Sequence, residues 1–225
     1  MNRPIRCCVG TAVLGVLLSI APAAAQSVAE FVPDVLPLLP VTDGVVFPNV
    51  SNEIQIIAPQ HKLLVEDAVK ADSLIGLVTL RPGAVPNALG NGEIFPIGVV
   101  CVIDDVKRPP GGVLYIMVRA VMRFRVVSED ASRAYRMGHL ELRPETLTAE
   151  DEVTLHGLRE RVDELARIVD PVVLPEKDDA DRINALAFYM DFDLFERQSL
   201  LEKDGAIARA RAMIELLTVK AQNKR

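Results

Sequence analysis

Tryptophan is absent from this 225-residue chain, and aromatic residues make up only 4% of it. Cysteine is also scarce: Cys7 and Cys8 precede an apolar run, and Cys101 is the only other one. A single cysteine after the leader cannot form an intramolecular disulfide, and its apolar, strand-like surroundings indicate a small buried hydrophobe. Positive charge is not in excess, since the formal net charge is −6. Non-specific binding of nucleic acid needs a cationic surface, so we expect no nucleic-acid partner.

Motifs for catalysis, metal binding and cofactor binding are lacking as well. There is no G-x-x-x-x-G-K-[ST] loop to hold ATP phosphates, and no G-x-S-x-G elbow to present a serine nucleophile. The histidines share no metal-ligand spacing; they are His61, His139 and His156. We therefore assign no catalytic residue, no metal ligand and no cofactor. A Ser-Lys dyad needs only two side chains, so a small serine-dependent peptidase stays open as an alternative.

The first 25 residues have the pattern of a secretory signal peptide. Arg3 and Arg6 precede a short apolar run, and Ala23-Ala24-Ala25 ends before Gln26 as a small-residue cleavage site. The apolar run is too short and, at Pro22, too interrupted for a comfortable transmembrane helix.

We therefore expect a signal peptide over 1–25 and a short leader over 26–35. Export and cleavage would give a periplasmic protein with no stable membrane span. A cytoplasmic protein is the alternative if translation starts elsewhere, for instance at Val28.

The run Leu36–Pro48 places two apolar stretches on either side of Thr42-Asp43-Gly44. This pattern predicts a hairpin, because Asp and Gly suit a tight turn. Proline cannot donate to a strand ladder, so these strands are expected at a sheet edge or at bulges; the prolines are Pro37, Pro40 and Pro48.

Short Val- and Ile-rich runs continue to about residue 145, with one helix expected over Pro59–Ala71. The glycine- and proline-rich stretch Lys107–Gly112 joins two of these runs and is expected to be a hairpin tip. So many short strands around one helix predict a small, partly closed β-barrel.

Beyond Pro144 the apolar period changes from 2 to 3.6. A stripe typical of an amphipathic helix follows, made of Leu155, Leu158, Val162, Leu165 and Val169. Thr148 and Asp151 have the spacing of a capping box. Further helix starts are predicted at Asp178 or Asp179, near Asp193 and after Asp204-Gly205, which makes a helical bundle over 146–221.

Five phrases of the chain, in order, resemble the N-terminal substrate-binding domain of Lon proteases. They are Leu36–Pro48, Ser73–Pro82, Phe95–Ile103, Leu114–Val126 and Phe195–Glu202, and the likeness extends to Leu217. The resemblance implies an α+β fold, in which a PUA-like pseudo-β-barrel over 36–145 is followed by a small α-helical bundle over 146–221. The phrases of the family's ATPase and peptidase domains have no counterpart in this chain.

The resemblance implies recognition without catalysis. Such a module would bind exposed apolar or extended segments of unfolded polypeptides and deliver them to a separate protease or chaperone. A small-ligand-binding sensor is a second alternative, although few aromatic residues are present to line its pocket.

Seven residues are candidates for contacts with a polypeptide. Four lie near the junction of the first loop and helix, namely Phe47, Pro48, His61 and Lys62, and three share one face of a strand, namely Arg119, Arg123 and Arg125. The arginines would hold an acidic segment of a client. Two alternatives stay open: Phe47 belongs to the core, and the arginines pair with acids of the helical half or are simply solvated.

Overall fold

The structure is a computed structural model that describes residues 31–83, 92–130 and 132–224. The expected signal peptide and the leader up to residue 30 lie outside the described residues. Six strands form one mixed sheet: β1 (Val35–Val41), β2 (Ser51–Ile56), β3 (Leu74–Thr79), β4 (Ile97–Lys107), β5 (Leu114–Asp130) and β6 (Met137–Arg143).

The sheet closes on itself through β5. The strand order is β2-β5-β4-β3-β1-β6, and β6 pairs with β5 in addition. Strand β4 occupies one edge of β5 across Tyr115–Arg125, so β2 and β6 must share the other edge. Strand β2 takes the first half, up to Arg119, and β6 takes the second half from Arg123 onward. This ring of five strands with β2 beside it is consistent with the expected pseudo-barrel.

Glycines make room for two large side chains inside the barrel. Leu38 and Phe124 are completely buried there. A Cβ atom on Gly76 would lie 2.6 Å from Leu38 Cδ2, and one on Gly98 would lie 2.9 Å from Phe124 Cζ. Gly138 is equally close to Leu38, at 2.5 Å from Cδ1. The narrow barrel is therefore filled by side chains rather than left as a pore.

The predicted hairpin over Leu36–Pro48 is wrong. Strand β1 ends at Val41, and the buried stretch Val45–Phe47 has no strand structure. Instead of a second strand there is a turn, in which Asn49 has a φ of 60° and donates its N–H to the Ala120 carbonyl on β5. Pro48 has no N–H to donate to a strand ladder, which fits its position in this turn. Pairing with β5 as a strand begins at Ser51.

The edge position predicted for β1 is also wrong, because β1 lies between β3 and β6. It pairs with β6 through Val35–Pro37 and with β3 through Leu38–Val41. The Leu38 N–H points to the β6 side, where it donates to the Arg136 carbonyl. Backbone nitrogens of successive residues in a strand face opposite sides, so the nitrogen of Pro40 faces the β6 side, beyond the last residue of β1 that pairs with β6. The nitrogen of Pro37 faces the β3 side, ahead of the first residue of β1 that pairs with β3. Neither proline therefore removes a required hydrogen bond.

Five helices complete the described fold. They are α1 (Pro59–Lys70), α2 (Ala149–Val169), α3 (Asp179–Tyr189), α4 (Leu194–Leu201) and α5 (Gly205–Asn223). The capping box of Thr148 and Asp151 is confirmed at the start of α2, and Asp178 and Asp193 cap α3 and α4. The hairpin tip predicted over Lys107–Gly112 is confirmed between β4 and β5, with Gly111 and Gly112 at positive φ.

The barrel and the helices share one apolar core. Its members come from the turn before β2, from α1, from the outer face of the barrel and from the bundle, for example Phe47, Leu64, Val99, Val162 and Leu217. Strand β3 and the first half of β4 therefore bury both of their faces, one inside the barrel and one against helices, whereas β2 and β6 each keep exposed residues. No helix in the described part of the chain has the length and apolar character needed to cross a membrane.

Candidate functional site: a cavity between barrel and helices

A cavity lies at the point along β5 where its pairing partner changes from β2 to β6. The ladder with β2 ends at Arg119 and that with β6 begins at Arg123, so Val121 and Met122 lie in a gap between the two strands. A register shift against β4 also falls here. The cavity has a volume of about 360 Å³, and we call it the junction cavity. Its lining residues are Pro48, Asn49, Val121, Met122, Arg123, Arg143, Pro144, Glu145, Leu147, Ala180, Asp181, Asn184 and Ala206.

A buried ionic network forms one wall of the junction cavity. Arg209 of α5 is completely buried, and its Nη2 donates to Glu145 Oε1 at 2.7 Å. Its Nη1 donates to Asn184 Oδ1 at 2.6 Å, and its guanidinium lies 5.9 Å from the Phe47 ring centre. Arg123 of β5 donates to the same Glu145 oxygen at 2.5 Å and to the Leu201 carbonyl at 3.1 Å. The network therefore ties the barrel to three of the helices.

The two guanidinium groups control the ionisation of Glu145. Burial alone would raise the pKa of this carboxyl group, but Arg209 and Arg123 outweigh burial and hold the pKa below its ordinary value. Glu145 is therefore ionised at neutral pH. It neutralises one of two buried cations, and the second is balanced in part by exposed Asp204, whose Oδ1 lies 3.6 Å from Arg123 Nη2.

Asp181 also lines the cavity, in the first turn of α3. Its Oδ1 accepts a hydrogen bond from Asn49 Nδ2 at 2.7 Å, which links the turn before β2 to the bundle. Burial raises the pKa of Asp181, and the hydrogen bond from Asn49 only partly opposes this. The cavity thus combines apolar walls with two carboxylates in unlike environments, one doubly paired and one not.

The structure does not bring the three predicted arginines together as one exposed surface. Arg123 is 3% exposed and belongs to the ionic network, whereas Arg119 and Arg125 are exposed. Each arginine contacts an acid: Arg119 contacts Asp104 at 3.2 Å, and Arg125 contacts Glu141 at 4.0 Å. The register shift near Val121 changes the strand's alternation, so Arg123 turns toward the helices. Only Arg123 fits the alternative of pairing with an acid of the helical half, through Asp204, because Asp104 and Glu141 belong to the barrel strands β4 and β6.

The predicted residues around the first loop and helix also separate. Phe47 is completely buried in the core, which is the alternative that the sequence left open. Pro48 lines the junction cavity. His61 and Lys62 lie in the first turn of α1, where burial lowers the pKa of His61 and Lys62 Nζ donates to the Gly112 carbonyl. Of the seven candidates, only Pro48 and Arg123 meet at the cavity.

The sequence analysis missed the residues that shape the cavity most. Glu145 lies in a polar stretch, Asn184 lies within the buried apolar run of α3, and Arg209 lies in a helix that also carries an exposed arginine at position 211. A weak signal existed for Asp181, since it is the third residue after the cap Asp178, where its N–H is bonded to the capping carboxylate. That signal predicts a helix start and not a cavity wall.

The geometry gives little support to the two alternative functions. Ser128 lies directly opposite His139 in the β5–β6 register, yet among the described residues no hydrogen bond joins a serine hydroxyl to a histidine or lysine. Nor does any group of three or more His, Cys, Asp or Glu side chains in the described ranges have the geometry to hold a metal ion. The residues that line the junction cavity include no aromatic side chain.

Fold and cavity together define a class of protein: a closed β-barrel joined through a shared core to a helical bundle, with a mixed polar and apolar cavity at the joint. Residues 35–219 match the family model described as the ATP-dependent protease La (LON) substrate-binding domain. The chain therefore belongs to the Lon substrate-binding domain family, as the resemblance of its five phrases indicated.

Full-length relatives are much longer than this chain. It is 27% identical over 199 residues to Lon protease 2 of Thermus thermophilus and 26% identical over 205 residues to Lon protease 2 of Myxococcus xanthus. These alignments cover 82% and 86% of this chain but 24% of each relative, so the chain spans about a quarter of their length. The matching part is the substrate-binding domain, which is not itself catalytic.

Solved structures show the same fold. The Lon N-terminal domain protein from Xanthomonas campestris has a TM-score of 0.59 at 23% identity, covering 82% of this chain and 97% of that one. The N-terminal domain of the Mycobacterium avium complex Lon protease has a TM-score of 0.62 at 19% identity, covering 82% and 98%. The α+β fold predicted from the sequence is confirmed.

Proposed function

We propose that this protein is a polypeptide-binding module that holds exposed apolar or extended segments of unfolded proteins at the junction cavity. Its family is defined by substrate binding, and the chain matches that family over 35–219. Delivery of the bound segment to a separate protease or chaperone is part of the proposal.

The observation that carries the proposal is the composition of the cavity walls. Met122, Leu147 and Ala206 provide apolar surface for a client side chain. Asn184 is 3% exposed and uses its Oδ1 to accept from Arg209; its amide nitrogen has no hydrogen bond among the described residues and remains a donor for a peptide carbonyl. Apolar walls with a few convergent polar groups are typical of binding sites for peptides and small molecules.

Binding is testable without labelling this protein, because it contains no tryptophan. Casein contains tryptophan, so a change in tryptophan emission on mixing reports only on the client. We expect an affinity of about micromolar order, as for small transient interfaces. Ala180→Phe, which adds a ring to the cavity wall, should weaken binding. Ala149→Phe places the same ring in the first turn of α2, where position 149 is exposed, and should leave binding unchanged.

Equal binding of casein by the two variants would contradict the placement of the site at the junction cavity. Absence of binding to the parent chain would contradict the proposed function itself. Cleavage of casein that copurifies with the protein and disappears when one serine is replaced would favour the peptidase alternative.

Export is proposed from the sequence pattern of 1–25. A mass spectrum of the protein from fractionated cells tests it, and we expect a mature N-terminus at Gln26 in the periplasmic fraction. A cytoplasmic product that begins near Val28 would contradict export.

A further inference from the structure

Among the charged side chains that line the junction cavity, Asp181 differs from the others because it has no ion-pair partner in the described part of the chain. Arg123 contacts Glu145 and Asp204, and Arg143 Nη2 contacts Glu141 Oε1 at 3.1 Å. No lysine or arginine of the described ranges forms an ion pair with Asp181, and its Oδ2 accepts no hydrogen bond from those residues. The cavity therefore contains one under-neutralised anionic group.

This carboxylate faces a partly desolvated environment. Asp181 is half-buried, burial raises its pKa, and the neighbouring Asp178 raises it further while Lys177 lowers it. A buried charge is costly unless a counter-charge accompanies it, so a cation that reached Asp181 would be stabilised more than on the open surface. The cavity that contains Asp181 has largely apolar walls, to which Val121, Met122, Pro144 and Leu147 contribute.

We propose that the junction cavity takes the side chain of a lysine from an extended client polypeptide, with its ammonium group on Asp181 and its four-carbon stem along the apolar walls. Lysine and arginine both bury an apolar stem below a charged head. Arginine presents a planar fork that suits bidentate contact with both carboxylate oxygens, and Asn49 already occupies one lone pair of Asp181 Oδ1. A compact ammonium group can bind at Oδ2 alone.

The charge of the whole chain favours the same occupant. The formal net charge of −6 attracts basic segments and repels acidic ones over longer distances, which assists encounter. A lysine flanked by apolar residues would place its peptide groups near the Asn184 amide at the cavity wall. The inference rests on the proposed function, because it names the segment that a polypeptide-binding cavity would prefer.

The test compares two nine-residue peptides that are identical except at the centre, one with lysine and one with norleucine. Norleucine keeps the four-carbon stem and lacks the charge, and a tryptophan near the end of each peptide reports binding. We expect the lysine peptide to bind roughly five- to tenfold tighter at low salt, as a partly desolvated ion pair allows. Asp181→Asn, which retains an acceptor for Asn49, should abolish this preference, so that the lysine and norleucine peptides bind the variant with equal affinity.

Glu66→Gln is the matched control, because it changes the net charge equally from an exposed position on α1 away from the cavity. It should retain the preference for lysine. Equal affinity of the parent chain for the two peptides, or a preference that survives Asp181→Asn, would overturn the inference. Casein binding measured in parallel separates the two proposals: casein bound without a lysine preference overturns only this one, whereas no binding of casein or peptides overturns both.

Discussion

Glu145 is the residue at which three parts of the chain meet. It lies in the link between β6 and α2, and it contacts a guanidinium group from β5 and another from α5. Both arginines are buried, so each depends on this carboxylate for its counter-charge. Loss of one member of such a network leaves a buried charge without compensation, which costs more than the network itself contributes.

We expect Glu145→Gln to destabilise the protein by about 3–5 kcal/mol, the range for breaking a buried ion pair. Urea denaturation followed by circular dichroism measures this change. Glu141→Gln is the control, because the contacts of Glu141 with Arg125 and Arg143 lie at a half-exposed position and are worth about 0–1 kcal/mol. Similar losses for the two variants would show that the buried network has no special role.

The same residue predicts a pH dependence. The pKa of Glu145 in the folded protein lies below its ordinary value of 4.5, so the unfolded chain binds its proton more readily. The contribution of Glu145 to stability is therefore complete above about pH 4.5 and is lost as the pH falls through the folded pKa. Urea midpoints measured downward from pH 6 should fall less steeply for Glu145→Gln than for the parent chain. Parallel curves would contradict the assignment.

At the scale of single elements, the barrel depends on close approach of its strands. Gly98 of β4 is the tightest case, because a Cβ atom there would lie 2.3 Å from the Leu77 carbonyl oxygen and 2.9 Å from Phe124. A backbone atom cannot rotate away as a side chain can, so relief requires the two strands to separate.

Gly98→Ala should therefore destabilise the protein by at least about 1–3 kcal/mol, as overpacking of a core does. Gly44→Ala is the matched control, since nothing lies within 4 Å of its added Cβ. Thermal unfolding of both variants measures the difference, and a Gly98→Ala protein as stable as Gly44→Ala would mean that the barrel is looser than described.

The start of α2 offers a second test at this scale. Thr148 Oγ1 accepts a hydrogen bond from the Asp151 N–H at 3.2 Å, and Asp151 Oδ2 accepts one from the Thr148 N–H at 3.0 Å. Thr148→Ala should cost about 1 kcal/mol, the usual value of an N-cap. Thr154→Ala, within the same helix and exposed, should cost less, since alanine has the higher helix propensity. The unfolding midpoint of each variant is measured by helical circular dichroism. If Thr154→Ala lowered this midpoint as much as Thr148→Ala does, the role of the cap would be contradicted.

The helices could be predicted because their signals are local. Thr148, Asp178 and Asp193 each mark a helix start within four residues, and the structure places caps there. The position of β1 could not be predicted in this way, because its partners β3 and β6 are remote in sequence and its prolines look like edge markers. The role of Arg209 could not be predicted for the same reason. Its ion pair with Glu145, which lies outside α5 and far away in sequence, is what distinguishes it from the exposed arginine at position 211.

At the scale of the whole molecule, the shared core predicts one unfolding transition. Leu217 of α5 and Cys101 of β4 belong to the same apolar cluster, although one lies in the bundle and the other in the barrel. Cys101 is completely buried, and burial raises the pKa of its thiol well above the ordinary value, so the folded barrel should protect it from thiol reagents.

We expect labelling of Cys101 and helical circular dichroism to report the same urea midpoint, measured on protein in which Cys7 and Cys8 are replaced by serine. Leu217→Ala should lower both midpoints together, by about 2–5 kcal/mol in free energy of unfolding. Val219→Ala, at an exposed position of the same helix, is the control. Separate midpoints for the thiol and the helices would show two independent units.

The placement of β1 between β3 and β6 has a consequence for synthesis on the ribosome. The first strand of the barrel, β1, pairs with the last strand, β6. The ring therefore cannot close until β6 (Met137–Arg143) has emerged from the ribosome. Until then Leu36 and Leu38 have no barrel interior to enter, and the nascent chain carries an apolar strand with one open edge. Folding should therefore be slow relative to helical proteins of this size, and early pauses in translation should raise the risk of aggregation.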